Sequence, residues 1–204
     1  MLVDVPGAMP SHLVFALGNN GTAYLVNRDN LGGIDAPPTA ASRVAGDSII
    51  QAAATYRTSQ ATYVVFRVNN NKLSALSITA TNPPTIVRGW GVSRNGGGCG
   101  SPFVTSTDGA NDMIVWVVGT EGDQRLHGYD GDTGAVVYHG GGPNELMGGT
   151  HSYSTTGIVA RGRIYIATDN RVYAFAVPTP TPTPTPILIP VPRPSPGPRS
   201  TPRS

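Results

Sequence analysis

The chain has 204 residues, among them 26 glycines and 19 prolines, and only 13% of its residues are Asp, Glu, Lys or Arg. That charged share is about half of the usual globular value, which argues against a helical bundle, whose exposed faces need Glu and Lys. Cys99 is the single cysteine. A lone cysteine excludes an intramolecular disulfide framework and a zinc site built from paired cysteines.

The charge is divided unevenly along the chain. The residues from Pro178 to the end include Arg193, Arg199 and Arg203 but no acidic residue, so residues 1–177 have a net charge of −1. The overall pI of about 8.9 therefore comes from the C-terminal segment. Since the rest of the chain is not basic, we predict no nucleic-acid partner.

The N-terminus and the hydropathy pattern bear on localisation. Asp4 and Pro6 stand where a signal peptide has its apolar core, and no basic residue precedes them. No apolar run reaches the roughly 18 to 20 residues that span a bilayer. We predict no transmembrane segment and no signal peptide within this chain. A secreted protein of this kind would then begin partway into a longer one.

One pattern recurs four times along the chain: an apolar strand, a tight polar turn and a second apolar strand. The last residues before the four turns are spaced 50, 51 and 49 positions apart. The turns contain Asn-Asn-Gly, Asn-Asn-Asn and Asp-Asn, which tolerate the positive φ of short hairpin loops. The pattern therefore predicts four β-hairpins. Their first residues are Leu13, Tyr63, Ile114 and Ile164, and the residues before their turns are Gly18, Val68, Gly119 and Thr168.

Further strand candidates flank the hairpins. Four strands in about 50 residues, without helical periodicity, are typical of a β-propeller blade. We predict an all-β fold, a β-propeller of four-stranded antiparallel blades, with about four blades present. The candidates before the hairpins are residues 2–5, 49–55, 101–105 and 156–160, and those after them are 85–90, 135–138 and the weaker, loop-like 34–46.

The fourth repeat is incomplete. It lacks a fourth strand because the chain runs into proline after Val177. A propeller commonly takes such a strand from its opposite terminus, but the segment before Leu13 offers one short strand, which the first blade needs. We predict an open half-ring, or the C-terminal part of a larger propeller, with exposed faces that favour aggregation or a dimer interface. The blade bounds are 1–46, 47–96, 97–148 and 149–178.

The C-terminal segment, residues 179–204, differs in kind from the rest. It reads Thr-Pro four times and then keeps a proline at nearly every second or third position. Proline fixes φ and donates no hydrogen bond, so the pattern predicts an extended, solvated polyproline II spacer. Thr-Pro runs resemble the linkers of secreted bacterial proteins, which favours an extracytoplasmic location. The alternative is a disordered tail without a role.

The most specific motif lies in the third repeat, where residues 128–138 read GYDGDTGAVVY. It resembles the A-x-D-x-x-T-G-x-x-x-W docking motif of the pyrroloquinoline-quinone (PQQ) type β-propellers. Asp130, Thr133 and Gly134 match in register, while Gly128 replaces the motif's Ala and Tyr138 replaces its Trp. In such a turn Asp and Thr satisfy the backbone, Gly supplies an unusual φ, and the aromatic residue packs against the next blade.

The resemblance implies a propeller without by itself implying the cofactor. Enzymes of the family hold PQQ over the central axis with a calcium ion, a catalytic Asp and often an adjacent Cys-Cys pair. Here Cys99 stands between two glycines, so the pair is absent, and no calcium ligand or catalytic Asp can be assigned. Non-enzymatic relatives, including outer-membrane assembly scaffolds, use the same blades to bind other proteins.

Other candidate sites have simpler interpretations. Asp130, Asp132 and Gly134 resemble the opening of a calcium loop, but the docking turn explains the same residues without a distal Glu. His139, Glu145 and His151 are zinc-ligand types whose spacing of six fits no zinc motif, which favours exposed loop residues. Nothing near Cys99 in the sequence would lower its pKa as catalysis requires, so we interpret it as a small residue packed near the axis.

These observations predict a non-catalytic, extracytoplasmic binding or scaffold module. We expect loops 91–101 and 139–153 to form part of one rim, where propellers bind partners. The partner would be another protein, a ligand or the remaining propeller blades, and no cofactor or metal is predicted. The alternative is the C-terminal part of a PQQ-dependent dehydrogenase, whose PQQ and calcium would be held by blades outside this chain.

Overall fold

A computed structural model describes residues 1–46, 52–68, 72–93, 100–151 and 154–176. This part of the chain forms fifteen β-strands and one short 3-10 helix, Pro143–Glu145. Within these ranges no helix has the length and apolar character that crossing a membrane requires. The strands are β1 Leu2–Asp4, β2 His12–Leu17, β3 Thr22–Asn27, β4 Ala40–Arg43, β5 Ala54–Arg57, β6 Thr62–Val68, β7 Lys72–Ile78, β8 Ile86–Ser93, β9 Phe103–Thr105, β10 Ile114–Val118, β11 Leu126–Asp130, β12 Val136–His139, β13 Gly157–Ala160, β14 Arg163–Ala167 and β15 Val172–Ala176.

The strands form four antiparallel sheets in which chain neighbours pair. Blade 1 is β1-β2-β3-β4, blade 2 is β5-β6-β7-β8, blade 3 is β9-β10-β11-β12, and blade 4 is β13-β14-β15 in the described residues. Each predicted hairpin forms the central pair of its blade, or the last described pair in blade 4. The weak candidate at 34–46 contains a short strand, β4, and the candidate at 49–55 contributes only the start of β5 among its described residues.

In the part of the chain that the structure describes, the hydrophobic core has three layers, one between each pair of consecutive blades. The layer between blades 1 and 2 includes Phe15 and Phe66, the next includes Val65 and Val115, and the third includes Ile166. Every residue of β6 is buried, because blade 2 has a neighbour on both faces. Each buried Val, Ile, Leu or Phe contributes about 1.5 to 3 kcal/mol, so stacking the blades is what stabilises them.

Alternation along the strands decides which blade each side chain meets. In β2, Leu13 and Phe15 are buried toward blade 2, while Val14 and Ala16 face away from it. In β14, Ile164 and Ile166 pack toward blade 3, and Tyr165 lies on the opposite face. Blades 1 and 4 therefore each have one face that no described blade covers.

The turns fall on two rims of the stack. On one rim, which we call the hairpin rim, the turns within the hairpins lie beside the links between blades: the Met147 N–H donates to the Gln124 carbonyl (3.0 Å) and the Asp169 N–H to the Gly149 carbonyl (3.1 Å). On the opposite rim the Gly131 N–H donates to the Met113 carbonyl (2.7 Å). Antiparallel strands connect the two rims, so every blade contributes loops to both.

Candidate functional site

Asp130 organises the tight turn that follows β11. Its Oδ1 accepts hydrogen bonds from the Thr133 hydroxyl (2.7 Å), the Thr133 N–H (2.8 Å) and the Asp132 N–H (3.1 Å). The Gly134 N–H donates to the Asp130 carbonyl (2.9 Å) and the Ala135 N–H to the Thr133 hydroxyl (3.2 Å). We call residues 130–135 the docking turn. The acidic side chain is thus used to close the backbone of the turn.

The electrostatics of Asp130 follow from these contacts. The Thr133 hydroxyl is the largest influence that holds the pKa of the Asp130 carboxyl below its usual range. Partial burial opposes the shift, and the two backbone N–H groups reinforce it. Hydrogen bonds to the charged form favour ionisation, so Asp130 is a carboxylate at neutral pH.

The docking turn is held by side chains of blade 2. The Gly131 carbonyl accepts one hydrogen bond from the Tyr56 hydroxyl (2.6 Å) and another from Trp90 Nε1 (2.7 Å), both buried. The Thr58 hydroxyl donates to Asp132 Oδ1 (2.7 Å). Burial raises the pKa of Tyr56 far above its usual value, so its hydroxyl stays protonated and donates. The turn therefore joins blades 2 and 3.

Gly134 fits beneath the indole of Trp90. Its φ is +72°, and a Cβ at this position would lie 2.7 Å from Trp90 Cε3. Glycine satisfies both requirements, since a side chain would be strained by the backbone and would collide with the ring. This explains why the matched glycine of the motif occupies the position.

The two departures from the motif meet at Trp116. A Cβ on Gly128 would lie 2.7 Å from Trp116 Cζ3, so the indole takes the space of the motif's Ala. The Tyr138 ring lies 6.0 Å from the Trp116 ring, between centroids, at the layer shared with blade 4. Trp116 Nε1 donates to the Thr105 hydroxyl (2.8 Å). Trp116 thus compensates for the small residue at 128.

We expect Asp130→Asn to lower the free energy of unfolding by about 1 kcal/mol near pH 7, because the turn's donors lose their charged acceptor. A carboxyl whose folded pKa is depressed stabilises the fold fully above its unfolded pKa of about 3.9. This contribution is lost as the pH falls through the folded pKa, so the two proteins should converge in acid. Urea unfolding of both between pH 2.5 and 7 measures the difference. A constant difference down to pH 2.5 would contradict this role for the charge.

The remaining sequence candidates are dispersed. His139 packs its ring edge against His127, 5.4 Å between centroids. His151 is exposed, with Nε2 3.1 Å from Asp169 Oδ1 and Nδ1 3.9 Å from Glu121 Oε1, and Glu145 lies in the 3-10 helix. Among the described residues no group of three or more His, Cys, Asp or Glu could hold a metal ion. Cys99 lies outside the described residues.

The acidic residues of the motif are not arranged as a calcium site. Asp130 Oδ1 already accepts three hydrogen bonds, and Asp132 Oδ1 accepts that of Thr58. Calcium needs six to eight oxygen ligands that are free to converge on it. These carboxylates hold the turn and the blade contact instead, and no reaction step follows from them.

Sequence reasoning did not find the partners of the docking turn. Tyr56 and Trp90 are 75 and 41 positions away from Gly131. One signal was present: Trp90 ends the fourth strand candidate of the second repeat, much as Tyr138 ends that of the third. The partner of His127 was also not found: this histidine is buried, with Nε2 2.7 Å from Oδ2 of Asp123, four residues earlier in the chain.

The hairpin rim carries a long anchored loop, residues 140–151, which we call the rim loop. Arg125 Nη1 donates to the carbonyls of Gly140 (2.8 Å) and Gly142 (2.5 Å), and the Tyr173 hydroxyl accepts a hydrogen bond from the Gly148 N–H (3.1 Å). Met147 is 1% exposed in the third core layer, whereas Leu146 beside it is 52% exposed. The loop is thus fixed at several points and presents an apolar side chain to solvent.

Comparison with known proteins decides the architecture. No family model and no curated protein sequence matches the chain. Solved structures do match, among them the crystal structure of BamB from Moraxella catarrhalis, with a TM-score of 0.52 and 15% sequence identity over 85% of this chain. The fold is a β-propeller. The fold class predicted from the repeats is confirmed, and at this identity the likeness to BamB shows the fold alone.

The propeller spans about half of the solved structure that it matches. The aligned region covers 47% of the BamB chain. Membership of the PQQ-type family, whose docking motif residues 128–138 resemble, stays a prediction.

Proposed function

We propose that this propeller is a non-catalytic binding module that holds another protein through its hairpin rim, outside the cytoplasm. The observation that carries the proposal is the anchored rim loop with exposed Leu146. Loops held by a rigid scaffold commonly carry binding function. A loop already fixed by Arg125 and Met147 loses little conformational entropy on binding, which favours affinity.

The polar groups around Leu146 suit a protein partner. Pro143 and Asn144 are exposed on the same loop. At the end of the loop, His151 lies beside Asp169 and Glu121. An apolar side chain within a polar, solvent-accessible border is the usual anatomy of a protein interface. The location outside the cytoplasm is supported by the Thr-Pro segment of the sequence, which lies beyond the described residues.

We expect Leu146→Ala to weaken binding of the partner at least tenfold, as truncation of a central apolar anchor does. The partner is first isolated on the immobilised full chain from an extract of the source organism, then purified and titrated by calorimetry. Val136→Ala is the matched control, because Val136 is similarly exposed, at 56%, on β12 away from the rim loop. Equal affinity of the two variants would refute a contact at the rim loop.

The same protein preparation tests the alternative, a PQQ-dependent dehydrogenase. A ligand that binds the folded chain raises its melting temperature, and the rise grows with the ratio of ligand concentration to Kd. Our proposal includes no cofactor, so the melting temperature should stay the same when PQQ and calcium are added together. A rise of several degrees would favour the dehydrogenase and overturn the proposal.

A further inference from the structure

The outward face of blade 4 is an apolar sheet surface. We define it as Ile158, Ala160, Tyr165, Ala167, Val172, Ala174 and Ala176, which the strand register places on the side away from blade 3, with Arg163 at its edge on the same side. Ile158 is 67% and Val172 70% exposed. An exposed apolar surface of this kind marks an interaction site.

The corresponding faces of blades 2 and 3 are covered by the next blade. In each of them a large residue of the second strand stands opposite a small residue of the third: Val65 opposite Ala75 in blade 2, and Trp116 opposite Gly128 in blade 3. Blade 4 repeats the arrangement with Tyr165 opposite Ala174. The outward face of blade 4 therefore has the composition of a face that packs against the next blade of a propeller.

We call the face of a blade that meets the preceding blade its leading face, and no described residue of another blade covers the leading face of blade 1. Its outward residues are Leu2, Val14, Ala16, Tyr24 and Val26, opposite to the face that packs on blade 2. Leu2 is 62% exposed. In blades 2 and 3 the same leading faces are buried. The outward faces of blade 4 and blade 1 are thus the two faces that meet wherever one blade packs on the next.

The charges at the two ends are complementary. At the edge of the outward face of blade 1, Asp4 pairs with Arg28 (3.0 Å) and Asp29 with His12 (3.0 Å), and the two acidic side chains remain 64% and 66% exposed. Arg161 and Arg163 are exposed at the start of β14, on the rim of blade 4 that corresponds to the turn between β1 and β2. Stacking blade 4 on blade 1 places opposite charges on the same rim. This favours contact between blade 4 and blade 1 over contact between two copies of the same blade.

We propose that two copies of this chain associate head to tail, the outward face of blade 4 in each copy packing on the outward face of blade 1 in the other. The aligned region covers 47% of the matched BamB chain, so two copies supply the length of one such propeller. A twofold rotation about the propeller axis makes both contacts at once and closes the ring, which removes every uncovered face. This association is independent of the partner at the rim loop.

Analytical ultracentrifugation of the full chain between 1 and 100 µM tests the association. We expect a dimer for the unaltered chain. Val172→Asp and Leu2→Asp should each be monomeric over this range, with unchanged circular dichroism, because both side chains are exposed in the single chain. Val136→Asp is the matched control and should stay dimeric, since Val136 is exposed on β12 of blade 3 and belongs to neither end face.

Mixing the two end-face variants distinguishes head-to-tail association from other dimers. In a mixed pair, blade 4 of the Leu2→Asp chain meets blade 1 of the Val172→Asp chain, and neither of these faces is altered, while the second contact carries both substitutions. Each variant alone has no unaltered contact, so we expect the equimolar mixture to associate more strongly than either variant and less strongly than the unaltered chain. A monomeric unaltered chain at 100 µM, a dimeric Val172→Asp variant, or a mixture that associates no more strongly than either variant alone would each overturn the proposal.

Discussion

Gly134→Ala should destabilise the propeller by about 3 kcal/mol, combining the cost of a non-glycine residue at positive φ with overpacking of a buried contact. The new Cβ would lie 2.7 Å from Trp90 Cε3 and 2.9 Å from Cδ2, atoms of a ring that is itself buried. The indole cannot withdraw without losing its hydrogen bond to the Gly131 carbonyl. The free energy of unfolding in urea measures the effect.

Gly162→Ala is the matched control for this experiment. Gly162 has a φ of +70°, almost the same as that of Gly134, but a Cβ on Gly162 would meet no atom within 4 Å. It should cost about 1 kcal/mol, the backbone part alone. The difference between the two variants isolates the contact between blades 2 and 3. Equal losses would mean that the indole does not hold the docking turn.

Trp90→Ala should cost about 3 to 5 kcal/mol, a large fraction of the roughly 5 to 15 kcal/mol that stabilises a domain. The substitution removes a buried ring, 8% exposed, and one of the two hydrogen bonds to the Gly131 carbonyl. Tyr56 would be left as its remaining side-chain donor. We expect a lower urea midpoint and faster amide exchange in the docking turn.

Val87→Ala is the control for Trp90→Ala within the same strand. Val87 is 44% exposed in β8, so its truncation should change the unfolding free energy by less than about 1 kcal/mol. Exchange in the docking turn should then match the unaltered chain. If Trp90→Ala were as mild as Val87→Ala, the proposed connection between blades 2 and 3 would be wrong.

The docking turn shows which contacts are determined by residues that are close in the sequence. Asp130, Thr133 and Gly134 contact one another within four positions, so their turn is encoded by adjacent residues. The same sequence did not reveal that the Gly131 carbonyl is bound by Tyr56 and Trp90, because side chains 75 and 41 positions away are brought there only by the stacking of blades. His151 behaves in the same way, because its partner Asp169 is 18 positions away in the hairpin turn of blade 4.

The sequence by itself determined the hairpins and their repeat, because antiparallel pairing across a short turn depends on alternation and turn residues that are close in the chain. It also determined that the blades need neighbours, since their apolar residues point to both sides. Only the tertiary structure decided which face of each blade is covered: the face with Leu13 and Phe15 on blade 1, and the face with Ile166 on blade 4. The physical reason is that burial is a property of the stack: Val65 and Tyr165 occupy corresponding positions, and the next blade covers only the first.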